Sequence, residues 1–300
     1  MTTRYTGSGP YCYANSIAML TGEDPSAVEV LTGSPFGLWL DDDRLPFFDP
    51  YGWDPLAGST AALARLGWSS TVTTGSEEED DGDAIQRLRL AVRDRPALVG
   101  PVEIGLLRHL PEMTGPIGSD HYVVVTEVAG DTVVFHDPHG CPYATLPAGA
   151  FAAAWRADSI DYTGKPFVMR TELEKTENVD LDTAFTEFVP AARKLLEDCD
   201  TPAGGASAAL RLADLVEAGL PPDSRGHLVH FAVRVGVRRL CDAAHWLGRI
   251  GRASAADVLS RQAKLVGSLQ YELTAGSAKA AAETFRQLAP TYEQLHAALG

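Results

Sequence analysis

Gly7-Ser-Gly-Pro-Tyr-Cys-Tyr-Ala-Asn-Ser-Ile-Ala-Met-Leu20 is the stretch that decides the fold of the N-terminal part of the chain. Residues 7–10 interrupt regular structure, and from Ala14 onward apolar residues recur at the spacing of a helix. Cys12 is therefore predicted in the first turn, where backbone N–H groups favour a thiolate and could bind an oxyanion. The alternative is a small buried residue that helps the helix to pack.

Two β-branched runs farther along the chain predict a hairpin. His121-Tyr-Val-Val-Val-Thr-Glu-Val and Thr132-Val-Val-Phe-His-Asp read as strands, and Gly130-Asp131 between them favours a tight turn. The start of the first strand then lies beside the end of the second, which brings His121 and Asp137 together. The simpler explanation is a strand-edge histidine and a turn aspartate.

These three residues together have the chemistry of a thiol nucleophile site. Such a site needs a thiolate, an imidazole that exchanges protons with it, and a group that fixes the tautomer of the imidazole. We predict Cys12 as the nucleophile, His121 as the general acid and base, and Asp137 as the orienting residue. The neighbouring Tyr11 and Tyr13 are predicted to contact substrate.

The remaining pattern predicts an α+β domain followed by helices. Further helices are expected at 25–31, 59–66, 83–93 and 148–155, further strands at 68–74, 96–104, 143–146 and 167–171, and a long loop at 33–55. From residue 181 the pattern is helical, in segments near 184–198, 205–219, 226–250, 253–275 and 277–298, which predicts a bundle. We place a catalytic domain at 1–175, a helical domain at 183–300, and the linker within 172–182.

Charge and composition narrow the class of protein. The net charge of −15 argues against nucleic acid. The first 189 residues hold 12 basic and 29 acidic side chains and the rest hold 13 and 11, which supports two domains. No apolar run approaches the ~18 residues that span a bilayer. With no signal segment and four scattered cysteines, we expect a cytoplasmic protein with reduced thiols.

The motifs resemble those of one known family. Gly-Pro-Tyr-Cys12-Tyr-Ala-Asn-Ser, Asp120-His121-Tyr-Val-Val-Val and Val-Phe-His-Asp137-Pro are similar to the papain-like (C39-like) domain of the butirosin-biosynthesis acyltransferase (BtrH-like) family, which is related in fold to bacteriocin-processing cysteine peptidases. The C-terminal part is similar to the helical domain that often follows. The resemblance covers most of the chain through short motifs.

The resemblance implies a function and its partners. It implies Cys12, His121 and Asp137 in the roles given above, and transfer of an aminoacyl group from the thioester of an acyl carrier protein to an amine on a small natural product. Phosphopantetheine would arrive on the carrier protein, and no separate cofactor is expected. Papain-like peptidases carry a glutamine about six residues before the cysteine, where this chain has Thr6. Thioester transfer is therefore favoured over proteolysis, because a thioester is already activated.

Three other polar clusters in the sequence could bind a cation, a metal or a partner. Asp41-Asp-Asp43 could hold a cation or contact substrate through Asp42, although a solvated turn is the simpler interpretation. His136-Asp-Pro-His139-Gly-Cys141 lacks a second ligand pair, so we predict no metal. Arg234 and Arg238 belong to a basic helix edge that could receive the acidic carrier protein. The other members of that edge are His227, His230, Arg239 and His245.

Two alternatives remain open from the sequence. In the first, a protein of the same fold closes a small nitrogen ring on a carrier-bound amine by intramolecular displacement, using His121 and the acidic loop rather than Cys12. In the second, the chain is a non-catalytic binding or partner-stabilising module. The sequence leaves a homo- or hetero-oligomer equally open.

Overall fold

The computed structural model describes residues 10–42 and 44–300. Its contacts divide the chain into two compact units. The first unit is Met1–Pro25 with Gly67–Glu177, and the second is Ser26–Leu66 with Asn178–Gly300. Residues 26–66, which the sequence analysis placed in the catalytic domain, thus belong with the helical residues.

The elements of the N-terminal half follow in chain order. They are α1 (Cys12–Thr21), α2 (Pro25–Leu31), β1 (Trp39–Asp41), β2 (Leu45–Phe47), α3 (Pro55–Arg65), β3 (Trp68–Thr73), α4 (Asp81–Ala91), β4 (Ala97–Glu103), β5 (Asp120–Ala129), β6 (Thr132–Asp137), β7 (Cys141–Pro147), α5 (Ala148–Arg156) and β8 (Met169–Lys175). The C-terminal half adds α6 (Leu181–Asp198), α7 (Gly205–Ala218), α8 (Pro222–His227), α9 (Val233–Arg249), α10 (Ala253–Thr274) and α11 (Ala278–Ala298). A mixed α/β part followed by a helical part confirms the general form of the fold prediction.

A six-stranded antiparallel sheet is the centre of the first unit. Its order is β3-β8-β4-β5-β6-β7. The predicted hairpin is present as β5 and β6, with Ala129 paired to Thr132 across the turn. Strand β8 runs to Lys175 and pairs with β3, so the first residues of the predicted linker are strand. The sheet is therefore completed by a strand that comes late in the chain.

A bulge in β4 faces the strand that carries His121. Val99 pairs with Val123 and Val102 with His121, so Gly100 and Pro101 lie opposite the single residue Tyr122, and β4 has one extra residue here. A Cβ atom on Gly100 would come within 2.8 Å of the His121 carbonyl oxygen. Only glycine fits there, because the backbone of the neighbouring strand approaches too closely for a side chain.

Apolar side chains of the sheet and of two helices form the core of the first unit. Val123, Val125 and Phe135 pack with residues of α4 and α5, including the fully buried Phe151 and Trp155. Helix α1 packs against β5. The sheet thus supports both the helix that begins at Cys12 and the hairpin that ends at Asp137.

Residues 33–55 contain more structure than the predicted loop. Strands β1 and β2 form a small antiparallel hairpin in which Trp39 pairs with Phe47. Helix α3 begins at Pro55, four residues before the prediction, because the Asp54 side chain caps it by accepting from the Ala57 N–H at 2.6 Å. Pro55 at the first helical position fits this start.

A buried charge cluster joins residues 26–66 to the helices of the second unit. Arg239 on α9 donates through Nε to Glu29 Oε1 at 2.8 Å and through a terminal nitrogen to Asp49 Oδ2 at 3.0 Å. Burial raises the pKa of Asp49, although the Arg239 charge and a hydrogen bond from Trp39 oppose the rise. All three charged side chains are buried, so the removal of one would leave a buried charge without its ion-pair partner.

The helices of the second unit pack with one another and differ in one place from the prediction. Helix α9 packs against α10, α10 against α11, and α11 against α7. The predicted helix 226–250 is divided into α8, a π-helical segment at Leu228–Ala232, and α9. Gln270 of α10 donates to the Val229 carbonyl at 3.1 Å, which satisfies a backbone acceptor of the π segment. Within residues 10–42 and 44–300, no helix is both long and apolar enough to cross a membrane.

Candidate active site

Cys12 is the first residue of α1, as the sequence predicts, and it is partly exposed. The glycine-rich segment before Pro10 lies outside the described residues. Helix α1 is fastened to β5 one turn later, where Ser16 Oγ donates to the Tyr122 carbonyl at 3.2 Å. The Tyr13 and Tyr122 rings also meet edge to face, with centroids 5.9 Å apart. The helix that begins at the thiol thus lies alongside the strand that carries His121.

His121 and Asp137 form a direct hydrogen bond in the interior of the first unit. His121 Nε2 lies 2.8 Å from Asp137 Oδ1. His121 is 1% exposed and Asp137 is fully buried, so this contact is shielded from water. Because Asp137 holds Nε2, the proton belongs on that nitrogen in the neutral ring and Nδ1 is the nitrogen suited to accept a proton from a thiol. The hairpin therefore produces the predicted pair.

Asp137 accepts further hydrogen bonds that keep it ionised. His109 Nε2 lies 2.7 Å from Oδ2, and the His139 backbone N–H donates to Oδ1 at 2.7 Å. Burial opposes ionisation, but the hydrogen bonds from His109 and His121, the His121 charge and the His139 N–H outweigh it and hold the pKa of Asp137 well below its usual range. Asp137 is thus a negative charge beside His121 at neutral pH.

His109 is the member of this cluster that the sequence analysis missed. It lies between the short 3₁₀ turn at Ile104–Leu106 and β5, in a segment without strand or helix periodicity. Its side chain is 9% exposed and its ring meets Phe135 edge to face. The flanking apolar pair Leu107 and Leu110 was the available signal, because leucines in a Gly/Pro-rich loop indicate a buried loop.

A buried carboxylate fixes the loop that leads into His121. Glu103 Oε1 accepts from the backbone N–H groups of Gly105 and Ile117, at 2.9 and 3.1 Å. Its Oε2 accepts from the Gly118 N–H at 2.9 Å and from the Ser159 hydroxyl. Both ends of the loop are therefore tied to one side chain, which limits the freedom of the residues just before β5.

The predicted cluster of possible zinc ligands is used differently. His136 Nδ1 accepts from the Tyr143 N–H at 3.1 Å inside the β6–β7 hairpin, and burial lowers the pKa of His136. Burial, Asp137 and Glu112 raise the pKa of Cys141. The cysteine next to Asp137 in the sheet is thus disfavoured as a thiolate.

A different trio has the donor set of a metal site. Ligand atoms of His121, Asp137 and His139 all lie within 4.8 Å of one another. However, both Asp137 oxygens already accept hydrogen bonds, from His109, from His121 and from the His139 N–H. These three hydrogen bonds use most of the roughly four acceptor sites of the carboxylate, which leaves little of it for a cation.

The residues predicted to contact substrate have varied surroundings. Tyr11 is fully buried as the residue before α1, and Tyr13 is 5% exposed against Tyr122, which makes both part of the packing. Asp42 is an exposed residue of the β1–β2 turn in the second unit, with a φ of 45°. Asp43, the last of the acidic run, lies outside the described residues.

The predicted basic edge of α9 is only partly exposed. Arg234 is exposed, and Arg238 Nε lies 3.8 Å from Asp242 Oδ2. Arg239 is buried in its ion pairs, and His227 Nε2 lies 2.9 Å from the Pro46 carbonyl oxygen. Arg239 and His227 are thus structural, which corrects their inclusion in a solvated edge.

Comparison with known proteins shows similarity but indicates no activity. Fold and site together describe an α+β unit with a candidate thiol, histidine and aspartate site, followed by a helical unit. A model of the YobF C-terminal domain matches residues 200–300. The chain is similar to the uncharacterized protein YobF of Bacillus subtilis (strain 168), with 29% identity over 273 residues that cover 88% of this chain and 87% of that protein. The likeness thus extends over both units.

Proposed function

We propose that the chain is a cysteine-dependent acyltransferase with a papain-like first unit, which moves an aminoacyl group from a carrier-protein thioester to an amine on a small molecule. The observation that carries this proposal is the buried His121 Nε2 to Asp137 Oδ1 hydrogen bond of 2.8 Å, on the strand alongside the helix that begins at Cys12. The carrier protein and the amine acceptor come from the family resemblance. No cofactor is needed for this reaction.

The first half of the reaction loads the enzyme. His121 takes the proton of the Cys12 thiol through Nδ1, and the thiolate attacks the thioester carbonyl carbon. The start of α1 stabilises the negative charge that develops on the carbonyl oxygen. The tetrahedral intermediate collapses by breaking the bond to the phosphopantetheine sulfur, which leaves as a thiol with the proton from His121. The acyl group is then a thioester of Cys12.

The second half transfers the acyl group. An amine attacks the acyl-enzyme carbonyl while His121 takes the amine proton, and the Cys12 sulfur leaves as a thiolate that regains the proton from His121. Asp137 remains ionised throughout, because its hydrogen bonds hold its pKa well below the usual range. It stabilises the imidazolium that forms in each half and keeps the ring in one orientation.

Acylation of Cys12 tests the proposal directly. An alanyl thioester of N-acetylcysteamine and the same acyl group on a carrier protein are the probes, and the adduct is located by peptide mass spectrometry. We expect the acyl mass on the Cys12 peptide of wild type and of Cys141→Ala, and no adduct in Cys12→Ala. Cys141 is the matched control, because burial and neighbouring carboxylates raise the pKa of its thiol. Equal acylation of wild type and Cys12→Ala contradicts the proposal.

The same variants separate the two alternatives. Ring closure without a thiol predicts that Cys12→Ala retains activity on a carrier-bound amine while Asp42→Ala loses it. A non-catalytic module predicts that Cys12 is neither acylated nor alkylated near pH 7 faster than an ordinary thiol. Each outcome is distinct from that of the acyltransferase.

A further inference from the structure

Asp137 divides its two oxygens between two imidazoles, and the proposed reaction uses only one of them. His121 Nε2 lies 2.8 Å from Oδ1, and His109 Nε2 lies 2.7 Å from Oδ2. The backbone N–H of His139 adds a second donor at Oδ1, at 2.7 Å. A carboxylate held at both oxygens cannot turn about its Cβ–Cγ bond without breaking a buried hydrogen bond. His109 is therefore part of what fixes the carboxylate.

His109 is itself held in one orientation. Its neighbours Leu107 and Leu110 are buried in the core of the first unit. Successive turns bring the Leu107 N–H to the Ile104 carbonyl at 3.0 Å and the Leu110 N–H to the Leu107 carbonyl at 2.9 Å. The imidazole packs edge to face on Phe135, with ring centroids 5.0 Å apart. A ring confined in this way presents Nε2 in a single direction.

The second ring nitrogen shows which role His109 can take. His109 Nδ1 is buried and has no hydrogen-bond partner in the described part of the chain. A proton on Nδ1 would be a buried donor without an acceptor, which costs about 1–3 kcal/mol. The hydrogen-bond network therefore assigns the proton to Nε2, where Asp137 accepts it. His109 is a fixed donor to the carboxylate.

We propose that His109 is a positioning residue: by holding Oδ2 of Asp137, it keeps Oδ1 in line with Nε2 of His121. This inference rests on the proposed function, because the alignment of His121 affects reactivity only where His121 exchanges protons with Cys12. Without His109 the carboxylate rotates and the imidazole follows it. Misplacement of a reacting group by about 1 Å can cost up to about 100-fold in rate.

Two amide variants separate the hydrogen bond from the packing. Glutamine carries its amide nitrogen close to the position of imidazole Nε2, whereas the shorter asparagine carries it close to the position of Nδ1. At pH 6, where an ordinary thiol is mostly protonated, we expect His109→Asn to slow Cys12 alkylation by iodoacetamide by about 10-fold. We expect His109→Gln to stay within about threefold of wild type, since it retains the donor. Cys241, an exposed thiol of the second unit whose pKa is raised by partial burial and by Asp242, serves as a slow internal reference.

A spectroscopic measurement gives a readout that does not depend on the thiol. In ¹⁵N-histidine spectra, the Nε2 proton of His121 should be shifted downfield and exchange slowly with water in wild type and in His109→Gln. In His109→Asn it should exchange at least about 10-fold faster, because its acceptor is no longer fixed. Circular dichroism on all three proteins checks that they fold. If His109→Asn does not fold, the comparison of His109→Gln with wild type still tests the role of the hydrogen bond.

The results distinguish this inference from the proposed function. The positioning role is overturned if His109→Asn keeps the wild-type rates of Cys12 alkylation and of His121 proton exchange. It is also overturned if His109→Gln shows both slower alkylation of Cys12 and faster exchange of the His121 proton. If wild-type Cys12 reacts no faster than Cys241 at pH 6, the proposed function fails, and proton exchange at His121 still decides whether His109 positions Asp137.

Discussion

Ser16 Oγ donates a hydrogen bond of 3.2 Å to the backbone carbonyl of Tyr122, across 106 residues of sequence. Ser16 is one turn after Cys12 on α1, and Tyr122 is the residue after His121 on β5. Both partners are buried, so water cannot replace the bond. This contact is a polar link between the helix of the proposed nucleophile and the strand of the proposed base.

Removal of the Ser16 hydroxyl should weaken that link. We expect Ser16→Ala to reduce the free energy of unfolding by about 0.5–1.5 kcal/mol, because the buried hydrogen bond from Ser16 to the Tyr122 carbonyl is lost. Alkylation of Cys12 at pH 6 should also slow. Urea unfolding followed by hydrogen exchange of peptides from α1 and β5 measures the first effect.

Ser268→Ala is the matched control for Ser16→Ala. Ser268 makes a similar contact, with Oγ 2.9 Å from the Leu265 carbonyl oxygen, on an exposed face of α10. Its loss should change stability by less than about 0.5 kcal/mol. Equal effects of the two changes would contradict the role given to Ser16.

Neutralising Asp137 should change how the first unit responds to acid. The pKa of Asp137 in the folded protein lies below the unfolded value of 3.8. Its contribution to stability is therefore fully present above about pH 5 and is lost as the pH falls toward the folded value. We expect Asp137→Asn to be less stable than wild type by about 2 kcal/mol at pH 7, and this difference should begin to shrink as the pH falls below about 4.

Urea midpoints of β5 and β6 peptides between pH 3 and pH 7 measure this decrease in the difference. Asp42→Asn is the control, because Asp42 is exposed. Parallel curves for wild type and Asp137→Asn would mean that Asp137 does not bind protons differently in the folded and unfolded states.

Arg239 should be essential to the second unit, unlike its neighbour on α9. We expect Arg239→Met to cost about 3–5 kcal/mol, because Glu29 and Asp49 are left as buried carboxylates without their cation. Arg234→Met, an exposed change on the same helix, should cost less than about 0.5 kcal/mol. Urea unfolding followed by hydrogen exchange of α9 peptides compares the two, and a similar loss in both would refute the buried-cluster account.

Glu103 should control the loop between β4 and β5. We expect Glu103→Gln to reduce the free energy of unfolding by about 1–3 kcal/mol. In the variant an amide NH₂ group faces backbone N–H groups that donate hydrogen bonds to the carboxylate in wild type. The loop should become more sensitive to limited proteolysis. Glu112→Gln, an exposed change in the same loop, is the control and should leave the cleavage pattern unchanged.

The local elements around the site were predictable from the sequence. The glycines and proline before Cys12 mark a helix start, and the β-branched runs on either side of Gly130 mark a hairpin, so α1, β5 and β6 follow from patterns a few residues long. The His121 and Asp137 contact follows from the hairpin as well. The catalytic roles of these residues remain predictions.

Long-range pairings were not predictable. Arg239 and Glu29 are 210 residues apart, and no local pattern indicates that residues 26–66 pack with the C-terminal helices. The placement of β8 between β3 and β4 is likewise a matter of which strands meet in space. The role of His109 was not predictable for a related reason. Its loop has no helix or strand periodicity, and its partner Asp137 lies 28 residues away.

The division of each unit between separate stretches of chain also sets the order in which the protein can be assembled on the ribosome. Residues 26–66 leave the exit tunnel long before residue 178, the next part of their unit. At about 5–20 residues per second the delay is on the order of 10 s. During that time Phe36, Leu38 and the Glu29 carboxylate lack the helices that will cover them. The nascent chain thus carries apolar surface without its final cover until the C-terminal helices have been synthesised.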